Sequence, residues 1–160
     1  MVKRIFVEKK RGMDVGAQKT RSDIAGVLGL ACEDVRQFIR YDIEDLDPEL
    51  FAEAKATIFS EPPVDDVFED SLPALDGYAT FIVEYLPGQY DQRADSAMQC
   101  VQLLSAGERP LIKCATVYAV KGCDEHIDAI KKYIINPVES REGSAELPDT
   151  LVQKTEAQTM

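Results

Sequence analysis

The sequence of 160 residues has no excess of basic side chains and no long apolar run. Its formal net charge is −11, whereas binding to nucleic acid or to an anionic membrane surface needs clustered Lys and Arg. No apolar stretch approaches the roughly 18 residues of a membrane-spanning helix, and the apolar run within residues 1–12 is too short for a signal peptide. We therefore expect a cytoplasmic protein that binds neither nucleic acid nor membranes.

Motifs for metal binding and catalysis are also missing. The single histidine, His126, has no cysteine at zinc-finger spacing, and no two cysteines form C-x-x-C. Buried structural thiols are the expected role of the cysteines, which are Cys32, Cys100, Cys114 and Cys123. A run of carboxylates does not fit a calcium loop and indicates a solvated turn; its members are Asp65, Asp66, Glu69 and Asp70. The sequence thus predicts no catalytic residue, no cofactor and no metal ion in this chain.

Strand and helix patterns are present, and they occur in the same order twice. The first half is predicted to hold strands at 3–8 and 34–44, helices at 15–28 and 48–59, and a short edge strand at 67–70. After a connector, the second half is predicted to hold strands at 78–85 and 111–120, a helix capped by Asp91, and a helix capped by Asp124 that ends at Asn136-Pro137. The apolar stripes predicted to be buried include Val27, Cys100 and Leu104.

The two halves align on each other. Gly12 matches Gly88, 76 positions later, and Asp14 matches Asp91, 77 positions later. The offset of 77 also relates Ala17 to Ala94, Ile24 to Val101, Val35 to Ile112 and Tyr41 to Tyr118, and each half closes on a Pro-Val step, Pro63-Val64 and Pro137-Val138. Several independent signals sharing one offset indicate an internal repeat.

The predicted fold class is therefore α+β, with an internally duplicated strand–helix–strand–helix unit. We expect the two copies to form a pseudo-dimer in which four helices cover an antiparallel sheet. Copy 1 spans residues 1–70, a connector spans 71–77, and copy 2 spans 78–141. Residues 142–160 are polar and are predicted to be a linker or tail.

The loop "EYLPGQYDQRADSA" at 84–97 has the outline of a phosphate-binding loop, because a strand leads through a glycine turn into a helix. No Walker Lys-Ser/Thr follows Gly88, there is no G-x-G-x-x-G, and an Asp at the helix start repels anions. Gly12, Asp14, Gly88 and Asp91 are therefore predicted to be structural turn and cap residues. The additional polar residues Gln89, Tyr90 and Arg93 indicate either a solvated face or a docking surface.

Four runs of the sequence, "VKRIFVEKK" at 2–10, "FSEPPVDDV" at 59–67, "EYLPGQYDQRADSAMQC" at 84–100 and "INPVESRE" at 135–142, together resemble the N-terminal region of phosphoribosylformylglycinamidine synthase in its large single-chain form. The resemblance covers about residues 2–152. It implies a domain that mimics a dimer of the separate small subunit used by other bacteria, whose pattern is a glycine turn, an Asp before a helix and a closing Asn-Pro-Val. Copy 2 keeps this pattern, whereas copy 1 closes on Glu61-Pro62-Pro63-Val64.

The resemblance also implies partners. The family's enzyme uses ATP and glutamine to amidate formylglycinamide ribonucleotide in purine biosynthesis. Its ATP- and Mg-binding synthase domain and its glutaminase domain follow the region seen here, which bridges them and supports ammonia transfer. The candidates for this interface are Gln89, Tyr90, Arg93, Asn136, Pro137, Glu139 and Arg141.

Two other functions remain open. Duplicated α+β units often bind small effectors between their copies, so the chain could be a stand-alone ligand-sensing module. Such a module would turn the polar residues at 89–95 toward a pocket between the copies, whereas a scaffold would place them on an outer face. A small enzyme is disfavoured, because no nucleophile has a visible base.

Overall fold

The computed structural model of the chain describes residues 2–107, 110–146 and 151. These residues form six strands and four α-helices: β1 (Val2–Lys9), α1 (Val15–Gly26), β2 (Asp34–Glu44), α2 (Pro48–Thr57), β3 (Asp65–Glu69), β4 (Tyr78–Tyr85), α3 (Gln92–Ser105), β5 (Leu111–Lys121), α4 (Ile127–Ile134) and β6 (Ser140–Glu142). A 3-10 turn at Asp124–His126 leads into α4.

The six strands belong to one antiparallel sheet in the order β3-β1-β2-β5-β4-β6. Its central pair is β2 and β5, which are in register from Asp34–Lys121 to Glu44–Leu111. The first half of the chain contributes the three adjacent strands β3, β1 and β2, and the second half contributes β5, β4 and β6. The prediction of an α+β fold with an antiparallel sheet and four helices is confirmed.

One face of the sheet, here called the helical face, packs against all four helices. Alternate residues of each strand point to it, as the pleat requires. One cluster joins Ile5, Tyr41 and Ile112 of the strands to α2 and α3. A second cluster joins Val35, Phe81 and Val120 to Ala17 and Ile24 of α1 and Ile130 of α4. Burial of these apolar residues is the main force that holds the helices on the sheet.

The opposite face of the sheet is covered by irregular chain. Leu72 and Leu75 of the connector pack against Phe6, Phe38 and Val117. Residues 143–146 and Leu151 are here called the crossing segment. The N–H of Gly143 donates to the carbonyl of Ile82 in β4, whereas Leu151 is buried beside the first-half strands and its N–H donates to Glu44. The polar composition predicted a linker or tail from residue 142. The crossing segment contacts the sheet, residues 147–150 and 152–160 lie outside the described part, and a linker there stays a prediction.

Several local expectations for the helices also need correction. α1 ends at Gly26, so Val27 lies beyond it and is 63% exposed. Leu104 and Cys100 of α3 are exposed rather than buried. The start of α4 falls after the 3-10 turn, with His126 instead of Asp124 at the N-cap position. In the described part of the chain, no helix has both the length and the apolar character needed to cross a membrane.

Candidate functional site

The two sequence runs that carry the resemblance most specifically lie side by side in the fold. Glu84 and Tyr85 at the end of β4 pair with Arg141 and Ser140 of β6. Just beyond, the backbone N–H of Leu86 donates to the carbonyl of Glu139 over 2.9 Å. Residues 84–93 and 136–141 therefore form one continuous surface feature, here called the motif rim.

All seven residues predicted as interface candidates lie in the motif rim and are exposed; they are Gln89, Tyr90, Arg93, Asn136, Pro137, Glu139 and Arg141. Tyr90 is 69% exposed, and its hydroxyl donates to Asp95 over 3.0 Å. The Arg141 guanidinium donates to Glu84 at 3.0 and 3.1 Å. The structure thus brings the candidates from both motifs onto a single surface.

Asn136 has a local structural role. Its Oδ1 accepts a hydrogen bond from the N–H of Val138 over 3.1 Å, which forms an Asx turn. Its own N–H donates to the hydroxyl of Ser140 over 3.1 Å. The turn before β3 is built in the same way, since the N–H of Glu61 donates to Asp65 Oδ2 over 2.8 Å. The N–H of Glu61 in this turn is therefore bonded as the N–H of Asn136 is in the turn before β6.

The four predicted turn and cap residues differ in their side-chain bonds. Gly12 and Gly88 both have positive φ, +91° and +90°, which favours glycine. Asp91 caps α3, because its Oδ1 accepts from the N–H of Ala94 over 3.1 Å. Asp14 occupies the N-cap position of α1 but makes no side-chain cap bond. The expectation of a capping carboxylate at Asp14 is wrong, since it accepts instead from the N–H of Gly12 and the amide of Gln18.

Two clefts open on the helical face of the sheet. The larger has a volume of about 680 Å³ and lies between α3, β5 and the turn that precedes β6. The smaller has a volume of about 300 Å³ and lies between β1, β2, the start of α1 and the turn that precedes β3. Tyr41 and Arg93 line both clefts, so these two side chains stand at their junction.

The junction places a cation beside a buried phenol. Burial raises the pKa of Tyr41, and the nearby Arg93 guanidinium lowers it by less, so the hydroxyl stays protonated at neutral pH. Burial likewise raises the pKa of Tyr118, which lines the larger cleft and stacks on Phe81 with ring centroids 5.2 Å apart. Both tyrosines therefore present neutral hydroxyl groups that can donate or accept hydrogen bonds.

The smaller cleft contains its own ion pair. Asp65 is buried, with a side chain 5% exposed, and its Oδ1 lies 3.0 Å from Nζ of Lys9. The other predicted turn carboxylates also pair with lysines: Asp66 with Lys10, and Glu69 and Asp70 with Lys3. The expectation of a solvated turn is therefore corrected, because these carboxylates lie on and beside the edge strand β3. Among the described residues, no group of His, Cys, Asp or Glu is placed to hold a metal ion.

Sequence reasoning missed a buried ionic cluster on the opposite face of the sheet. Arg4 donates from Nε and Nη2 to the carboxylate of Asp42 over 2.7 and 2.9 Å. Arg4 Nη1 donates to the carbonyl of Ala145, and Arg40 Nη1 to that of Ser144. The strand pattern contained a signal for this cluster, because Arg4, Arg40 and Asp42 alternate with core residues in long strands.

The cysteines are more exposed than the sequence predicted. Cys123 is buried, Cys32 and Cys114 are half-buried, and Cys100 is exposed. Burial raises the pKa of the Cys114 thiol, which keeps it protonated and therefore a weak nucleophile. Cys100 and Cys114 both line the larger cleft, where a protonated thiol contributes a weak donor.

Comparisons with known proteins add no relative, since no family model, curated protein or solved structure matches this chain.

Proposed function

We propose that the chain is an internally duplicated pseudo-dimer, and the register of the sheet is the observation that supports this most directly. Val7 of β1 pairs with Ile39 of β2. Val83, 76 positions later in β4, pairs with Thr116, 77 positions later in β5. Ile39 also pairs with Thr116 itself, so each central strand meets its counterpart at matching positions. These shifts are the ones at which the glycine turns and helix starts align, and Tyr90 is the extra residue between them.

On this basis we propose that the chain is the N-terminal scaffold and coupling domain of a phosphoribosylformylglycinamidine synthase. The resemblance implies a domain that mimics a dimer of small subunits, and the symmetric strand order β3-β1-β2-β5-β4-β6 is the arrangement such a mimic needs. In this role the domain supports ammonia transfer between the glutaminase and synthase domains, which carry the chemistry. ATP and Mg would bind in the synthase domain.

The motif rim is the docking surface that this function would use. Its candidates project from two adjacent strands and the turns that continue them, which fixes their relative positions. Tyr90 has the exposure and residue type that interfaces favour, because a large amphipathic ring gains contact area at little conformational cost. Gln89 beside it offers an amide that can donate and accept.

A reconstitution assay tests this proposal. The 160-residue chain, a synthase portion and a glutaminase portion are purified separately and assayed with ATP, glutamine and formylglycinamide ribonucleotide. We expect the chain alone to give no turnover and its addition to raise glutamine-dependent amidation by the other two portions. Turnover by the chain alone, or no effect of adding it, would contradict the proposal.

A matched pair of variants tests the docking surface in the same assay. Gln89→Ala with Tyr90→Ala should weaken association with the other portions, since both side chains project from the motif rim. Tyr133→Ala, which removes a half-exposed tyrosine from α4 outside the rim, should leave association unchanged. Equal effects of the two changes would remove the motif rim as the contact.

A ligand-sensing module remains the second candidate, and the position of Arg93 favours it. A sensor would direct part of the polar segment 89–95 toward a pocket between the copies. Arg93 fits this expectation, since it lines both clefts and stands beside Tyr41 of the first half. Tyr90 does not fit it, because it points outward.

A further inference from the structure

We propose that the larger cleft binds a small monocarboxylate, with α-amino acids as the preferred class. This assignment goes beyond the scaffold function and does not depend on it. The cleft volume of about 680 Å³ lies within the roughly 300–1,000 Å³ of small-molecule sites. Its walls come mainly from α3, β4, β5 and the turn before β6, and Tyr41 and Ile58 of the first half complete them, which gives a ligand contacts on several sides.

The charge of the cleft selects a carboxylate. Arg93 is the one cationic side chain among the described residues that line it, and no described carboxylate lies within ion-pair distance of that guanidinium. The carboxylates of Asp91 and Glu84 are already engaged, the first with the N–H of Ala94 and the second with Arg141. Arg93 is therefore the group able to form a charge-assisted, bidentate contact with an incoming carboxylate.

Among the described residues, one guanidinium and three carboxylates line the cleft, and this balance limits the ligand to a single negative charge. A nucleoside diphosphate or triphosphate would bring several charges to one guanidinium and place them near Asp91, Glu84 and Glu139. The carboxylate of Glu139 also lines the cleft, and it can accept from a ligand ammonium group. A zwitterion with one carboxylate and one ammonium satisfies both Arg93 and Glu139.

The rest of the lining is neutral and capable of hydrogen bonding. The floor is β5, with Thr116 and Tyr118, and the wall formed by α3 includes Ser96. Such groups can recognise a polar ligand without adding charge. Burial of the Tyr118 hydroxyl keeps it neutral, as described above.

We propose that the smaller cleft is the equivalent site of copy 1. It lacks the combination of a guanidinium, an acceptor for an ammonium group and a large volume that the larger cleft has. Lys9 and Asp65 already neutralise each other there. Gly16 takes the place that Arg93 has in copy 2, and the open position lets Arg93 line the smaller cleft as well. Arg93 is shared by the two clefts, but the larger one has more than twice the volume and also contains Glu139, so we assign the ligand to it.

Titrations of the complete chain test the assignment. L-α-amino acids and their deaminated acids are screened by thermal unfolding and then by calorimetry, with inorganic phosphate as the competing anion. We expect at least one amino acid to raise Tm by about 5 °C at about one hundred times its Kd. Arg93→Ala should weaken that binding roughly tenfold to a hundredfold, and Arg93→Lys should retain part of it.

Three further variants make the result specific. Arg21→Ala removes an exposed guanidinium outside the cleft and should leave binding unchanged. Glu139→Gln should weaken amino acids but not deaminated acids, and Ser96→Phe should block both by filling the cleft. The assignment is overturned if no acid binds, if phosphate binds as tightly, or if Arg93→Ala binds like the unchanged chain. These outcomes concern the chain alone, so they are separate from failure of the reconstitution assay.

Discussion

Asp14 and Asp91 both stand at helix N-cap positions but use their carboxylates differently. Asp91 accepts from the N–H of Ala94, which would otherwise lack a partner at the first turn of α3. Asp14 binds the turn before α1 and the Gln18 side chain, and it leaves the first-turn amides of α1 without a side-chain cap. The same residue type at the same position therefore contributes differently to stability.

We expect Asp91→Ala to lower the free energy of unfolding by about 0.5–2 kcal/mol, because it removes a true N-cap. Asp14→Ala is the matched control, and it should cost less because no cap bond is lost. Both changes remove one negative charge from a helix start, and Asp14→Ala also removes the bonds of Asp14 to Gly12 and Gln18, so a larger loss for Asp91→Ala reports the cap. Urea unfolding of the two variants measures it, and an equal loss would contradict the structural assignment.

Asp34 makes stability depend on pH in the acid range. Arg11 donates to its carboxylate over 2.6 and 2.9 Å, and the Tyr78 hydroxyl also donates to it. The Arg11 hydrogen bond in particular lowers the pKa of Asp34 from 3.8 to about 2. Because the folded-state pKa is depressed, the stabilisation is present above the unfolded pKa near 3.8 and is lost as the pH falls through 2.

Because solvent screens the exposed Arg11, we expect the chain to lose about 1 kcal/mol of stability from this group between pH 5 and pH 2. Asp34→Asn should remove that part of the pH dependence while lowering stability at pH 7. Unfolding curves at a series of pH values compare the two proteins. Parallel pH profiles for both would show that Asp34 is not the group responsible.

At the scale of elements, the strands were the easier part to predict. Strands were predicted at 3–8 and 34–44, and β1 and β2 occupy Val2–Lys9 and Asp34–Glu44. Helix ends were harder, since Val27 extends the apolar stripe of α1 yet follows its last turn. Apolar periodicity records which residues suit a helix, whereas local hydrogen bonds decide where the helix ends.

The crossing segment shows why part of the site could not be predicted. Its polar composition indicates a linker, but buried arginines hold it through its backbone carbonyls, and any sequence can supply a carbonyl. The residues of the motif rim were predicted individually, but the sequence did not show that they form one surface. That surface requires β4 to pair with β6, and this pairing depends on the whole sheet. For Arg93 the sequence left a solvated face, a docking surface and a pocket open, and its place in both clefts beside Tyr41 comes from contact with a residue distant in sequence.

The buried ion pair of Arg4 in β1 with Asp42 in β2, on the opposite face of the sheet, gives a test at the scale of elements. Arg4→Met leaves Asp42 buried beside Arg40 without its bidentate partner and also frees the crossing segment. We expect a loss of about 3–5 kcal/mol in the free energy of unfolding. Arg141→Ala breaks an exposed ion pair with Glu84 and should cost no more than about 1 kcal/mol.

A double replacement separates the charge from the packing. If the loss comes from the uncompensated Asp42 carboxylate, then Arg4→Met combined with Asp42→Leu should recover much of it. Denaturant unfolding of the single and double variants provides the comparison. A double variant as unstable as Arg4→Met alone would assign the loss to the crossing segment instead.

The whole molecule depends on the pairing of β2 with β5. This ladder joins the two halves into one sheet, and both helical-face clusters draw strand residues from each half. Tyr78 of the second half also donates to Asp34 of the first. The halves are therefore joined through backbone, apolar core and polar contacts together.

We expect residues 1–76, produced alone, not to be a stable folded monomer. This fragment loses the partner of β2 along its whole length, which leaves an unpaired edge, and its size is marginal for an independent core. It should be unfolded, or should self-associate so that β2 pairs with a second copy of itself, as the proposed duplication allows. Circular dichroism and sedimentation at several concentrations distinguish these states. A cooperative unfolding transition in a monomer would show that each half has its own core and that the sheet merely joins two independent units.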